Sequence, residues 1–266
     1  MKRSHKKSKA DFHLHCQVKG DADKPVLVLV HGFLSSNLQW ALNETALLAH
    51  FRLFMIELWG HGNSPVPQDN REYSVERYVQ ELETIRQQHG VKRWGLVGQS
   101  YGAAIVMHYA RFKPEHCSGI VVTNSLSAFS PPGSIKPGIS YEEFIRQHGV
   151  KALPIHPSFS KSLPETLKQK MIIQADKVDS EAAIAGLNLR NQLSILPFTG
   201  ELPRTLVTNG VYEKAFQPIV KAAKEQWQGL EVVDLKGGHS ININCANDFD
   251  EAVINFFQDC SAKSTN

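Results

Sequence analysis

The sequence predicts one large α/β domain: a mostly parallel central sheet flanked by helices, with a block of helices inserted before the last two strands. Three observations carry this. Short buried-strand runs, residues 25–30 (apolar throughout) and 120–123 among them, alternate with longer segments of helical spacing. Between residues 128 and 203 that alternation stops, and only amphipathic helical stretches remain. A glycine-framed turn, Gly98-Gln99-Ser100-Tyr101-Gly102, joins an apolar strand directly to a helix.

The elements follow in order. Residues 12–18 alternate and run into Gly20-Asp21-Ala22-Asp23, which predicts a first strand closed by a hairpin turn. Residues 25–30 (Pro-Val-Leu-Val-Leu-Val) read as a strand buried on both faces and lead straight into His31-Gly32-Phe33. Residues 37–50 read as one helix. The strand at 52–58 then ends in the turn Gly60-His61-Gly62-Asn63-Ser64. Residues 74–89 show helical spacing at Val75, Tyr78, Val79, Leu82 and Ile85 behind an N-cap at Ser74. Arg77 stands where a capping box would place Glu. A strand at 93–97 enters the Ser100 turn, a helix at 103–112 leaves it, and Pro114 ends that helix. Residues 120–123 form another buried strand. A Pro/Gly-rich link at 130–138 precedes helical stretches at 141–149, 164–177 and 180–193. A strand at 205–208, a helix at 215–228, a strand at 231–235 and a helix at 248–259 complete the alternation. The implied division is a disordered basic tail at 1–11, a core at 12–127 and 204–260, and a helical cap at 128–203.

Charge and cysteine usage narrow the function classes. Residues 1–10 hold five of the 29 Lys/Arg and no acid, so without them the net charge of +3 becomes −2. A nearly neutral body with a short basic end reads as a solvated terminus, not as a nucleic-acid or membrane surface. No stretch has the apolar run of a secretory signal or a membrane span. Cys16, Cys117, Cys245 and Cys260 lack any C-x-x-C or metal-ligand spacing, as expected of free thiols in a cytoplasmic enzyme.

The chemistry centres on Ser100. A strand and a helix that meet this closely leave no room for a Cβ at position 98 or 102, and the turn holds the serine oxygen clear of the backbone. The helix beginning at Tyr101 points its first N–H groups at the same place. A serine hydroxyl needs a base within hydrogen-bond reach and a group to orient that base. Of the 12 histidines, His239 follows the last strand and Gly237-Gly238, in a loop that opens at the same sheet edge as Ser100. His108, on the helix after the turn, reads as a packed residue, and His31 and His61 sit in turns.

Together, His31-Gly32-Phe33, Gly60-His61-Gly62-Asn63-Ser64, Gly98-Gln99-Ser100-Tyr101-Gly102 and Gly237-Gly238-His239 resemble the α/β-hydrolase-fold superfamily from residue 12 to the last helix. The resemblance implies a nucleophile…acid…histidine chain order, which again selects His239. It places the acid three residues past a glycine after the strand at 205–208, where Asn209-Gly210-Val211-Tyr212-Glu213 offers Glu213. The family's other acid position falls on Thr123-Asn124-Ser125, which contains none. Asp234 and Glu201 are the next acids near strand ends. The resemblance also implies an oxyanion hole from the N–H groups of Phe33 and Tyr101, and an apolar pocket including Leu34 and Trp59, though aromatics there fit a plain core equally.

The expected activity is hydrolysis of a carboxylic ester or thioester through an acyl-enzyme. The substrate would be a small molecule, with no metal or organic cofactor and an open oligomeric state. Residues 210–216 also resemble a G-x-x-D-x-K-F segment of the menaquinone-pathway lyase that forms succinyl-cyclohexadiene carboxylate. That lyase has an arginine four residues past its nucleophile, where this chain has Ala104; Arg111, Arg146 and Arg190 are the substitutes on offer. A serine acyltransferase and a slow-turnover ligand receptor stand beside the lyase as alternatives.

Overall fold

The computed structural model describes residues 12–132, 140–198 and 202–263; the basic tail, Glu201 and most of the 130–138 link lie outside them. Among these residues the strands are β1 (Cys16–Lys19), β2 (Val26–Val30), β3 (Arg52–Ile56), β4 (Trp94–Gly98), β5 (Cys117–Thr123), β6 (Thr205–Gly210) and β7 (Leu230–Leu235). The helices are α1 (Glu44–Leu48), α2 (Val75–Gln88), α3 (Tyr101–Phe112), α4 (Leu126–Phe129), α5 (Tyr141–His148), α6 (Glu165–Ala175), α7 (Ser180–Arg190), α8 (Gln217–Gln226), α9 (Ile241–Asn244) and α10 (Ala246–Lys263). The strands form one sheet in the order β1-β3-β2-β4-β5-β6-β7, parallel except for β1.

The apolar runs are explained by this sheet. Side chains alternate between faces along a strand, and both faces are covered. Val28, Val30, Phe54, Ile56, Leu96, Ile120, Val122 and Val207 enter one core with residues of α2, α3 and α8. Their neighbours Leu27, Leu29, Leu53, Met55, Val97, Val121 and Leu206 enter the other, against Trp40, Leu47 and the α10 residues Phe249, Val253, Phe256 and Phe257.

Two expectations are corrected. The first turn is present at Gly20 (φ 96°), but it does not close a hairpin between neighbours. β1 pairs antiparallel with β3, from Cys16 opposite Ile56 to Lys19 opposite Leu53, and β2 lies on the far side of β3. The half-exposed β1 takes the edge, while the all-apolar β2 takes a central place. Residues 37–50 do not form one helix. A 3₁₀ turn at Asn37–Trp40 and the short α1 are separated around Asn43. The Asn43 amide donates to Asn242 O and Asp250 Oδ1, each at 2.9 Å, so contacts far along the chain hold the break open. The other elements named from the sequence are present with ends shifted by a few residues, while the short helices α4 and α9 were not anticipated.

Between β5 and β6 the described residues contain helices but no strand. This block has its own core of Ile145, Val150, Leu153, Ala175, Val178, Ala183, Ile184 and Leu187, and Leu34 from the loop after β2 joins it. α6 also touches the main body, where Leu167 and Met171 meet Ile243 of α9.

Candidate active site

The sheet order reverses between β2 and β4: the chain moves outward to β3 on one side and to β5 on the other. Such a point leaves a crevice beyond the C-terminal ends of the strands. Ser100 sits there, between β4 and α3, with φ 52° and ψ −108°. A non-glycine residue in that conformation is strained and must be held by its surroundings. Its N–H donates to Thr123 Oγ1 at 3.1 Å, and its carbonyl accepts from Ser125 Oγ at 2.7 Å. The glycines act sterically. A Cβ on Gly98 would lie 2.5 Å from Ala103 Cα, and one on Gly102 would lie 2.2 Å from Val30 O.

Three side chains from three loops meet in sequence. Ser100 Oγ is 2.9 Å from His239 Nε2. On the far side of the ring, His239 Nδ1 lies 3.0 Å and 3.1 Å from the two carboxylate oxygens of Glu213. Nδ1–H therefore donates to Glu213, which leaves Nε2 free to accept from the serine hydroxyl. The Glu213 and His239 loops are tied by their backbones: Val211 N donates to Leu235 O at 3.0 Å and Tyr212 N to Gly237 O at 2.9 Å. Burial pushes the Glu213 carboxyl up, but its bonds to His239 and Asn124 outweigh that and hold it below the usual carboxylate range.

Asn124 is a residue that sequence reasoning passed over. Its Nδ2 donates to Glu213 Oε2 at 2.8 Å and to Gly210 O at 3.1 Å, while its Oδ1 accepts from Gly210 N at 3.0 Å. It is fully buried. The signal was a polar residue just past the end of a buried strand, dismissed because it was not an acid. The reserve acids are engaged elsewhere or unseen: Asp234 accepts from Asn209 at 2.8 Å, and Glu201 lies outside the described residues.

The loop after β2 faces Ser100. Leu34 carries a positive φ of 54°. Its N–H donates to His61 Nε2 at 3.1 Å, and His61 Nδ1–H donates to Trp59 O at 2.8 Å. His31 is used alike, accepting from Leu58 N at 3.1 Å and donating to Gly32 O at 2.7 Å. Burial pulls His31 down to about 3 and His61 to about 4, so both rings are neutral and can accept at Nε2. The Phe33 N–H has no acceptor among the described residues. Tyr101, as the first residue of α3, has no intrahelical acceptor for its own.

These groups border a pocket of about 400 Å³ whose lining includes Ser100, Glu213, His239, Phe33, Leu34 and Tyr101, with Leu163, Met171, Leu187 and Arg190 from the inserted block. Trp59 is not part of that lining. Its ring is buried in the core beside Tyr78, with the Arg77 guanidinium 5.9 Å from the ring centre. His108 is buried in α3 and meets Leu193 O at 3.2 Å. Among the described residues no group of His, Cys, Asp and Glu could hold a metal ion, and no helix is long and apolar enough to cross a membrane.

A family model for the α/β-hydrolase fold matches residues 25–147, which include Phe33 and Ser100 but neither Glu213 nor His239. A proline iminopeptidase of Lactobacillus delbrueckii subsp. bulgaricus is 29% identical over 124 residues, covering 44% of this chain and 42% of the peptidase, so the match spans less than half that relative's length. A Bacillus subtilis protein provisionally named 2-succinyl-6-hydroxy-2,4-cyclohexadiene-1-carboxylate synthase is 23% identical over 254 residues, 90% of this chain and 92% of its own. Among solved structures, a carboxylesterase of Nitrososphaera gargenis aligns with a TM-score of 0.80 at 18% identity, covering 94% and 96% of the two chains. An esterase of Exiguobacterium antarcticum aligns at 0.79 and 17%, covering 92% and 95%. The parallel sheet and its order, the strained serine between β4 and α3, and these matches agree: the chain has the α/β-hydrolase fold.

Proposed function

We propose that this protein is a serine hydrolase that cleaves a carboxylic ester or thioester through an acyl-enzyme. The observation that carries the reading is the unbroken Ser100–His239–Glu213 hydrogen-bond chain on a strained serine. Ser100 Oγ attacks the substrate carbonyl carbon while His239 Nε2 accepts the hydroxyl proton. Glu213 orients the ring and favours its charged form. The oxyanion is held by the N–H groups of Phe33 and Tyr101, with the α3 N-terminus behind it. The tetrahedral species collapses, the C–O or C–S bond breaks, and the leaving alcohol or thiol takes the proton from His239. Water then gives a proton to His239 and attacks the acyl carbon; the acyl C–Oγ bond breaks, Ser100 Oγ takes the proton back from His239, and the acid is released.

The inserted helices act as a cap that sets which acyl groups fit. Supporting this are their own core, the Leu34 contact, and their share of the pocket lining. Esterases and a peptidase among the relatives agree with acyl transfer to water. A second reading, elimination by a lyase, draws on the Bacillus relative that matches along most of the chain. Ala104, fully buried where that lyase family has arginine, counts against it.

The test is a p-nitrophenyl ester series of increasing acyl length, run on wild type and Ser100→Ala. Hydrolysis by the wild type with a burst of p-nitrophenol, absent from the variant, is the expected result. Turnover unchanged in Ser100→Ala would overturn the reading.

A further inference from the structure

The mechanism above gives no role to Arg190, the last residue of α7 and, among the described residues, the only Arg or Lys lining the pocket. It shares a helix face with Leu187, three residues earlier, which lines the same pocket. Among the described residues its one hydrogen bond is a long one, 3.4 Å from Nη1 to Tyr141 Oη. Among the described residues no carboxylate lies within 4.0 Å of it. The other two candidate arginines are committed elsewhere. Arg146 is exposed and pairs with Glu142 at 3.0 Å and Glu181 at 2.6 Å. Arg111 donates to the carbonyls of Ile195 and Pro197.

The remaining ionisable groups of the lining do not neutralise Arg190. Glu213 is bound by His239 and Asn124. His156 is kept mostly neutral by burial, and its Nε2 faces Asp176 at 3.3 Å. A guanidinium stays charged at every working pH and offers a planar fork of donors that matches a carboxylate. Placed in the wall of this pocket with no carboxylate paired to it among the described residues, it favours a ligand that brings one. A position in the last turn of a helix also suits a cation, through the helix dipole, so the test must separate the two roles.

We propose that Arg190 is a specificity residue selecting substrates whose acyl portion carries a carboxylate, such as half-esters or half-thioesters of dicarboxylic acids. This rests on the acyl-enzyme reading of Ser100. The mono-p-nitrophenyl esters of dicarboxylic acids from succinic to suberic are compared with methyl-ended esters of equal chain length. In the wild type, kcat/KM for the charged ester exceeds that for its neutral partner by about tenfold or more at one chain length. Arg190→Gln brings the ratio to one or below, and Arg190→Lys retains part of it.

A second readout does not depend on turnover: calorimetric binding of the matching mono-p-nitroanilides to Ser100→Ala, with and without Arg190→Gln. If neither ester is cleaved but Arg190 still discriminates between the anilides, the ester reading fails and the carboxylate site stands. Cleavage without charge preference in the wild type overturns the Arg190 proposal alone. So does an equal fall on both esters in Arg190→Gln together with a lowered Tm, which makes Arg190 a helix-end residue.

Discussion

Asn124→Ala removes the clamp on Glu213. Three hydrogen bonds are lost: two that join Asn124 to the Gly210 backbone and one to the Glu213 carboxylate. Neutral bonds contribute about 1 kcal/mol each and one to a charged group about 1.5–3 kcal/mol. Relaxation recovers part of this, which leaves a loss of about 3 kcal/mol, or roughly 6–12 °C in Tm for a chain of this size. Glu213 keeps its bond to His239, so activity falls without vanishing. Loss of one charge-assisted bond corresponds to about a ten- to hundredfold drop in kcat/KM. The pH dependence has a definite sign. Glu213 is held below its usual range, so its stabilising contribution is complete above the unfolded value and fades as pH falls through the folded one. Without Asn124 the folded value rises, so the stability gap between variant and wild type is largest near neutral pH and narrows in acid. The acid limb of the kcat/KM profile moves up in the variant. Calorimetry and ester kinetics from pH 3 to 8 read both effects. Wild-type kcat/KM with an unmoved acid limb would refute the reasoning, because Glu213 would then be positioned without Asn124.

The other expectations concern the triad, the cap and one buried acid. His239→Ala loses about as much activity as Ser100→Ala, since the members act as a unit; near wild-type hydrolysis would remove His239 from the mechanism. Glu213→Gln keeps the fold but loses several orders of magnitude in kcat through the wrong imidazole tautomer, while Glu213→Asp stays partly active. If Glu213→Gln kept most of the activity, another acid or a Ser–His dyad would be at work. Shortening Met171 or Leu187 to Ala raises kcat/KM for long over short acyl chains by about tenfold; an altered Tm with an unaltered chain-length profile would leave the cap as packing alone. Burial raises Asp250 to about 7, so the folded state favours its protonated form and loses stability as pH climbs from the unfolded value through 7. The Tm of Asp250→Asn relative to wild type therefore rises between pH 5 and 8, and a constant difference would contradict this.

What could be read from the chain depended on how local its cause was. The Ser100 turn was legible because two glycines, a strand and a helix lie within a dozen residues, and their steric reason is local. His239 followed from its place after the last strand, and Glu213 from its offset past Gly210. Asn124 was missed because its partners lie 86 and 89 residues away. The same holds at Asn43, where bonds to Asn242 and Asp250, about 200 residues on, break a helix that local spacing favours. Trp59 shows the opposite error: an aromatic beside a functional turn was assigned to the pocket, but it fills the core. β1 was found as a strand, yet its neighbour is a matter of sheet order, which residue pattern alone does not encode.

The central claim is that Ser100, activated by His239, is the nucleophile. Intact-protein and peptide mass spectrometry after treatment with a fluorophosphonate tests it most directly, because the probe forms a covalent adduct only on an activated oxygen. The account predicts one adduct on the wild type, located on the peptide containing Ser100, much slower labelling of His239→Ala, and none on Ser100→Ala. Equal labelling of Ser100→Ala, or an adduct on any other residue of the wild type, would contradict it.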